Sequence, residues 1–266
     1  MIKALFFDID GTLLSFTRHT IPSSTRQALE ELRRQGYKLF IASGRHPLDV
    51  FSVLDLPFDG YVTLNGGCCL RGREEVVFRR TIDPADIERL IEWESGPEAF
   101  ACVLAGDRRL TLNFVDERVT RVRELVRSDH LAGVVPFETW CEAAREGVLQ
   151  LIAFFGPEQE ERLMEELLPH CRAMRWSPLF ADVVPEGVNK AEGIDRLLAC
   201  FGIGADEAMA FGDGGNDLAM LRHVGLSVAM GNAAPEVKRA ADYVTTSVDD
   251  HGIARALRHF GLIEWR

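Results

Sequence analysis

The sequence predicts an α/β protein, an open and mostly parallel sheet interrupted by an inserted α+β unit. Three observations carry this. Short apolar runs alternate with helical periodicity toward both ends of the chain, which is the rhythm of βαβ units. From about residue 82 to residue 184 that rhythm gives way to strands in neighbouring pairs. At 266 residues and 47% hydrophobic content, the chain can bury a sizeable core and a second, smaller one.

The elements follow in order. ALFF is apolar on both faces, as a buried parallel strand should be. SSTRQALEELRRQG places Ala28, Leu29 and Leu32 on one helical face, with Ser24 and Gln27 spaced as a capping box and Gly36 as the stop. KLFIA is a second strand, PLDVFSVLDL a short helix and YVTLN a third strand. Asn65-Gly66-Gly67 then reads as a hairpin turn into CCLRGREEVVFRR.

The inserted unit begins with the helical DPADIERLIEWE. AFACVLAG and RLTLNFV are two strands around Gly106-Asp107, and DERVTRVRELVRS is helical. GVLQLIAFF is a strand and PEQEERLMEELLPHC a helix, followed by the strands RAMRW and LFADVVP. The βαβ rhythm resumes with the helix of EGVNKAEGIDRLLACF, where Asn189 and Glu192 fit a capping box. AMAF, LSVAM and YVTT are strands, and DDHGIARALRHFG is the last helix. The expected division is residues 1–81 and 185–266 for the core, and 82–184 for the insertion.

Composition excludes some functions. A net charge of −11 argues against a nucleic-acid partner and against an anionic membrane surface. The opening MIKALFF meets two acids at once, unlike a signal peptide, and no run approaches a membrane span. A cytoplasmic protein with no obligate protein partner is the expectation. The cysteines at 68, 69, 102, 141, 171 and 200 form no C-x-x-C pair and read as reduced, space-filling residues. The scattered histidines match no zinc spacing.

The chemistry gathers at strand ends, where open α/β sheets bind ligands. Asp8 and Asp10 end the first strand, and Gly11 allows a turn that can set both around one ligand. Read alone, DIDGT is equally a strand closed by a polar turn. Ser43-Gly44-Arg45 ends the second strand, where a hydroxyl beside backbone N–H groups can hold a phosphate oxygen. A frequent turn pair explains it as well. Lys190 falls in the first turn of a helix, opposing the helix dipole, which suggests an anion beside it; a solvated surface lysine explains it equally. Asp213 follows AMAF, with Asn216 read as the cap of the next helix and Asp217 in its first turn. Facing carboxylates require a cation, and oxygen ligands suit Mg²⁺. Such a site with a serine and a lysine is a phosphate receptor, and an aspartate can attack phosphorus.

Together, DIDGT at 8–12, Ser43 in IASGR, Lys190 in GVNKAEGI and GDGGNDLAML with Asp213, Asn216 and Asp217 closely resemble the haloacid dehalogenase (HAD) superfamily. The order of the motifs, Asn65-Gly66 after the third strand and VAMGNA at Val228–Ala233 resemble its Cof-like phosphatases. These have a Rossmann-like core and a large C2-type α/β cap, of the C2B subtype. The resemblance runs from Ile2 to about Phe260.

It implies a Mg²⁺-dependent phosphatase acting on small phosphomonoesters, sugar phosphates foremost, through an aspartyl phosphate. Asp8 is then the nucleophile and Asp10 the acid and base. The metal set is Asp8, Asp10 through its backbone carbonyl, Asp213 and Asp217, the last directly or through water. Ser43, Lys190 and Asn216 hold the phosphate, with Thr12 and Gly44 shaping the cup. Arg45, Asn65 and Asn113 are possible specificity residues. A phosphomutase of similar core and cap is an open alternative. So is a phosphoacceptor signalling domain, though it would need neither Asp10 nor the insertion.

Overall fold

The computed structural model describes residues 1–126 and 132–264. The chain divides into two compact units, one of Met1–Arg45, Leu54–Phe78 and Asn189–Arg266, the other of His46–Val53 and Arg79–Val188. The short helix after the second strand therefore groups with the inserted segment, whereas the sequence reading set it in the core.

In chain order, the first part comprises β1 (Ala4–Phe7), α1 (Ser23–Arg34), β2 (Lys38–Ala42), α2 (Pro47–Val53), β3 (Gly60–Thr63), β4 (Cys68–Arg71) and β5 (Glu75–Arg79). The insertion adds α3 (Pro84–Glu94), β6 (Cys102–Ala105), β7 (Leu110–Leu112), α4 (Glu117–Val126), β8 (Gly133–Val134), α5 (Phe137–Arg145), β9 (Gln150–Ala153), α6 (Pro157–Glu166), β10 (Cys171–Ser177) and β11 (Phe180–Pro185). The return contributes α7 (Lys190–Phe201), β12 (Ala208–Gly212), α8 (Leu218–Leu221), β13 (Leu226–Ala229), α9 (Pro235–Ala240), β14 (Tyr243–Val244) and α10 (Gly252–His259).

The first unit is built on a sheet of order β14-β13-β12-β1-β2-β3-β4-β5. Its strands run parallel from β14 to β3, and β4 returns antiparallel through a hairpin. β1 is central because all four of its residues are apolar and fully buried, so neither face tolerates water. Alternation sends Phe6 and Phe7 to opposite faces. Phe6 stacks on Phe40 at 4.6 Å between ring centres, and Phe7 stacks on Phe211 at 5.2 Å. These pairs lock the register Phe6↔Phe40 and Phe7↔Phe211, because a slip of one residue would exchange the faces. Ile194, Leu197 and Leu198 of α7 pack on the face that carries Phe6 and Phe40.

The second unit has its own sheet, ordered β10-β11-β9-β6-β7-β8, and its own core around Leu90, Trp140, Leu151 and Leu163. The hairpin around Gly106-Asp107 forms as expected between β6 and β7. Of the helix expected over DERVTRVRELVRS, residues 127 and 128 lie outside the described residues. Helix α5 has no counterpart in the sequence reading. It buries Trp140, Cys141, Ala143 and Ala144, so packing and not propensity fixes it.

Two caps differ from expectation. Ser24 caps nothing: α1 starts one residue earlier, after Pro22, and the Ser24 hydroxyl pairs with His251 Nδ1 at 2.8 Å. Asn216 is not a cap either. It sits within a 3₁₀ turn, Gly215–Asp217, and Asp217 closes that turn by accepting the N–H groups of Asp213 and Gly214 at 2.9 and 2.8 Å. The Asn189 cap does form, accepting from the Glu192 N–H at 3.1 Å, and Gly36 ends α1 with φ of 89°.

Candidate active site

The ends of β12, β1 and β2 are adjacent, and the chain order reverses between β12 and β1. Such a switch point opens a crevice at the carboxyl ends of the strands. Asp8 follows β1, Ser43 follows β2 and Asp213 follows β12, so the fold gathers residues far apart in sequence.

Lys190 is the centre of the cluster. It is fully buried, and its ammonium donates to Asp8 Oδ1 at 2.7 Å and to Asp217 Oδ1 at 2.6 Å. Burial disfavours its charge, yet Asp217 and Asp8 outweigh burial and raise its pKa. Burial pushes the Asp8 carboxyl well above its ordinary range, against the pull of Lys190 and with the push of Asp217, Asp213 and Asp10. Asp213 is pushed up to about 7, by burial first and by the charge of Asp217 next.

Other residues hold the acids in place. Thr12 donates its hydroxyl to Asp213 Oδ1 at 3.0 Å, and its N–H goes to the Ile9 carbonyl at 3.3 Å. Both donors are thus engaged, the hydroxyl by Asp213 and the N–H by Ile9. Asn232, which the sequence reading missed, donates to Asp213 Oδ2 and to the Gly11 carbonyl, both at 2.9 Å. The only signal was the Gly-Asn pair closing the VAMGNA run. Gly11 is glycine for space and conformation: its φ is 84°, and a Cβ there would stand 2.2 Å from Asp213 Oδ2.

Asp10 stands apart from the carboxylate cluster. Arg45 grips both its oxygens at 2.7 Å, in a forked pair. Arg45, a possible specificity residue by sequence, is therefore a partner of the expected acid. Ser43 is buried, and its Oγ accepts the Arg45 N–H at 3.2 Å. Asn216 donates to Asn65 Oδ1 at 3.0 Å, and Gly44 lies against the same Asn65 amide.

Asn113 is not gathered here. In the second unit its Oδ1 accepts from Cys102 and Phe114 N–H, both at 2.8 Å, and its Nδ2 donates to Glu94 at 2.7 Å and to the Phe100 carbonyl at 3.0 Å. An amide has two donors and two lone pairs, so these bonds use it fully.

Ligand oxygens of Asp8, Asp213 and Asp217 lie within 4.8 Å of one another. Three buried or half-buried carboxylates share one ammonium, and burial first, with the neighbouring acids adding to it, pushes Asp8 and Asp213 upward. Hard oxygen donors with surplus negative charge fit Mg²⁺, and this is the metal of the site. When bound, it supplies charge neutralisation for a phosphoryl group and its attacking carboxylate. A second cluster, Asp83, Asp86 and His170, lies in the other unit. There Arg89 and His170 already bond to Asp86 Oδ1, so its charge is balanced by the protein.

Comparison with known proteins agrees with this geometry. Residues 5–257 match the haloacid dehalogenase-like hydrolase family, and the chain belongs to it. A sugar phosphatase of HAD subclass IIB, BT4131, is 39% identical with a TM-score of 0.85, over 98% of this chain and 100% of that one. The phosphatase BT1666 of Bacteroides thetaiotaomicron is 37% identical with a TM-score of 0.89, over 99% and 96%. YkrA of Bacillus subtilis (strain 168), named as a candidate phosphatase, is 34% identical over 98% of this chain and 99% of its own. The protein is an enzyme of the phosphatase class, with Mg²⁺-dependent phosphoryl transfer through an aspartyl phosphate. Its core is Rossmann-like with an inserted α+β cap. Among the described residues no helix is long and apolar enough to cross a membrane.

Proposed function

We propose that the protein hydrolyses small phosphomonoesters, sugar phosphates foremost, as a cytoplasmic member of the Cof-like branch. The observation that carries this is the Asp8–Lys190–Asp217 network beside Asp213. It holds Asp8 at a strand end with a buried cation against it, which is how a carboxylate is kept ready to attack an anion. The likeness to the sugar phosphatase BT4131 over nearly the whole chain supports the substrate class.

Asp8 attacks phosphorus and the leaving oxygen departs. Asp10 gives that oxygen its proton and then takes one from the water that cleaves the acyl phosphate. Asp10 must leave the Arg45 fork to do so, because both its oxygens are held there. Ser43, Lys190 and Asn216 bind the non-bridging oxygens. Asp8, the Asp10 carbonyl and Asp213 would hold Mg²⁺, with Asp217 supporting that set directly or through water; its carboxylate is itself held by Lys190 and two N–H groups. The insertion, near 82–184, selects the leaving group, because the core residues read only phosphate and metal.

A phosphate-release screen over sugar phosphates, flavin mononucleotide and pyridoxal phosphate tests this, run with Mg²⁺ and with EDTA. Release that is confined to Mg²⁺, with unchanged circular dichroism in EDTA, is expected. Full turnover in EDTA overturns the metal role. Isomerised sugar phosphate without free phosphate would make the protein a mutase.

A further inference from the structure

Leu64, Asn65 and Gly66, between β3 and β4, have φ of 50°, 55° and 103°. Two successive side-chain-bearing residues in the left-handed region are uncommon, and the strain falls on Leu64 more than on Asn65. Leu64 has no polar side chain to offset that strain, and both residues are at most 1% exposed. Hairpins have less strained turns to choose from, so the question is what this one holds.

It holds three motifs at once, two at strand ends and one at the start of α7. The Leu64 N–H donates to the Arg45 carbonyl and the Asn65 N–H to the Ser43 carbonyl, each at 3.0 Å. The Asn65 amide lies against Gly44, where an added Cβ would meet it at 3.1 Å. The same amide accepts from Asn216 Nδ2 at 3.0 Å. Gly66 passes beneath the residue before Lys190, so closely that a Cβ would stand 2.1 Å from the Asn189 carbonyl oxygen.

We propose that Asn65 is a positioning residue for phosphate binding and not a specificity residue. Its amide fixes the spacing between the Ser43-Gly44 turn and Asn216. It also orients the Asn216 amide: one N–H is given to Asn65, and the second is the one that amide offers to a phosphate oxygen. Donors around a tetrahedral anion act only when their spacing is fixed in advance. Asparagine suits the position because it tolerates φ above zero and carries a neutral amide. A carboxylate there would repel the dianion. The inference rests on the phosphatase reading of this same site.

The test is a double-mutant cycle read by calorimetry with inorganic phosphate in the presence of Mg²⁺. Asn65→Gly keeps the backbone freedom and removes the amide, and Asn216→Ala removes the oriented group. Each should weaken phosphate binding on the order of 10- to 100-fold, as losing a supporting hydrogen bond does. The double variant should bind no more weakly than Asn216→Ala, because the two act as one unit. Multiplying effects, or undiminished phosphate affinity in a folded Asn65→Gly, would overturn the proposal. If Asn65→Gly does not fold, Asn65→Asp keeps the shape and backbone preference. It should bind phosphate at least 10-fold more weakly than the unaltered protein, on the same scale, and equal binding overturns the proposal. An unaltered protein that binds phosphate but hydrolyses no ester would refute the hydrolytic reading alone. One that binds no phosphate refutes both.

Discussion

Asp8 and Asp10 are two positions apart, yet their carboxylates have different company. Asp8 is buried against Lys190, and the Asp10 side chain is 38% exposed, held by Arg45. Asp8→Asn should therefore abolish turnover, and beryllofluoride should no longer trap an acyl-phosphate mimic at this position. Asp10→Asn should cost roughly 10²–10⁴-fold with alkyl phosphates, the usual worth of proton transfer. The loss should be smallest with p-nitrophenyl phosphate, whose leaving group scarcely needs an acid. Equal losses across leaving groups would remove Asp10 from that role.

Lys190 carries a separate, structural prediction. Lys190→Met leaves the Asp8 and Asp217 carboxylates buried without their cation, which costs about 3–5 kcal/mol. Urea denaturation should show it. Adding Asp217→Asn should recover part of that stability, while phosphate release stays lost.

At the scale of elements, α7 positions Lys190 through its cap. Asn189→Ala should cost about 1 kcal/mol of stability. Phosphate release should fall as well, because the capped turn is the one that carries Lys190. Unchanged turnover in a destabilised variant would separate the cap from the site.

A second element prediction concerns pH. Burial pushes Glu94, at the end of α3, up to about 8. Its folded carboxyl stays protonated at pH values where the unfolded one is ionised. The unfolded state then binds fewer protons, so stability is full below the ordinary carboxyl range and is lost as pH rises toward 8. Glu94→Gln should flatten that decline between pH 5 and 8, measured as urea midpoints against the unaltered protein. An identical slope would mean that Glu94 does not titrate in this window.

For the whole molecule, the two units divide the labour in the proposed scheme. The first unit contains every residue of the carboxylate network, and the second comprises the inserted segment together with His46–Val53. Replacing roughly residues 82–184 by a short linker should weaken discrimination among sugar phosphates far more than hydrolysis of p-nitrophenyl phosphate. The ratio of kcat/KM values between the two substrate types, intact against deleted, cancels general damage to the core. An unchanged ratio would place selection in the core.

The sequence by itself determined which side chains end which strands. Apolar runs such as ALFF and AMAF are local signals of burial, and the polar residues that follow them fall at the sheet's carboxyl edge whatever the rest of the chain does. Asp8, Asp10, Ser43, Asp213 and the capped start of α7 were legible for that reason. Helix α5 was not, because its face is defined by the core it fills. Nor were the partners of the acids. Thr12 reaches Asp213 across 201 positions and Asn232 reaches Gly11 across 221, while Arg45 takes Asp10 and Asn113 is spent on its own unit. Only the tertiary structure decided these, because a hydrogen bond depends on distances of a few tenths of an ångström. Periodicity sets an element and its buried face, but those distances are set by strand order and by the turns between strands, including the left-handed one at Leu64–Gly66.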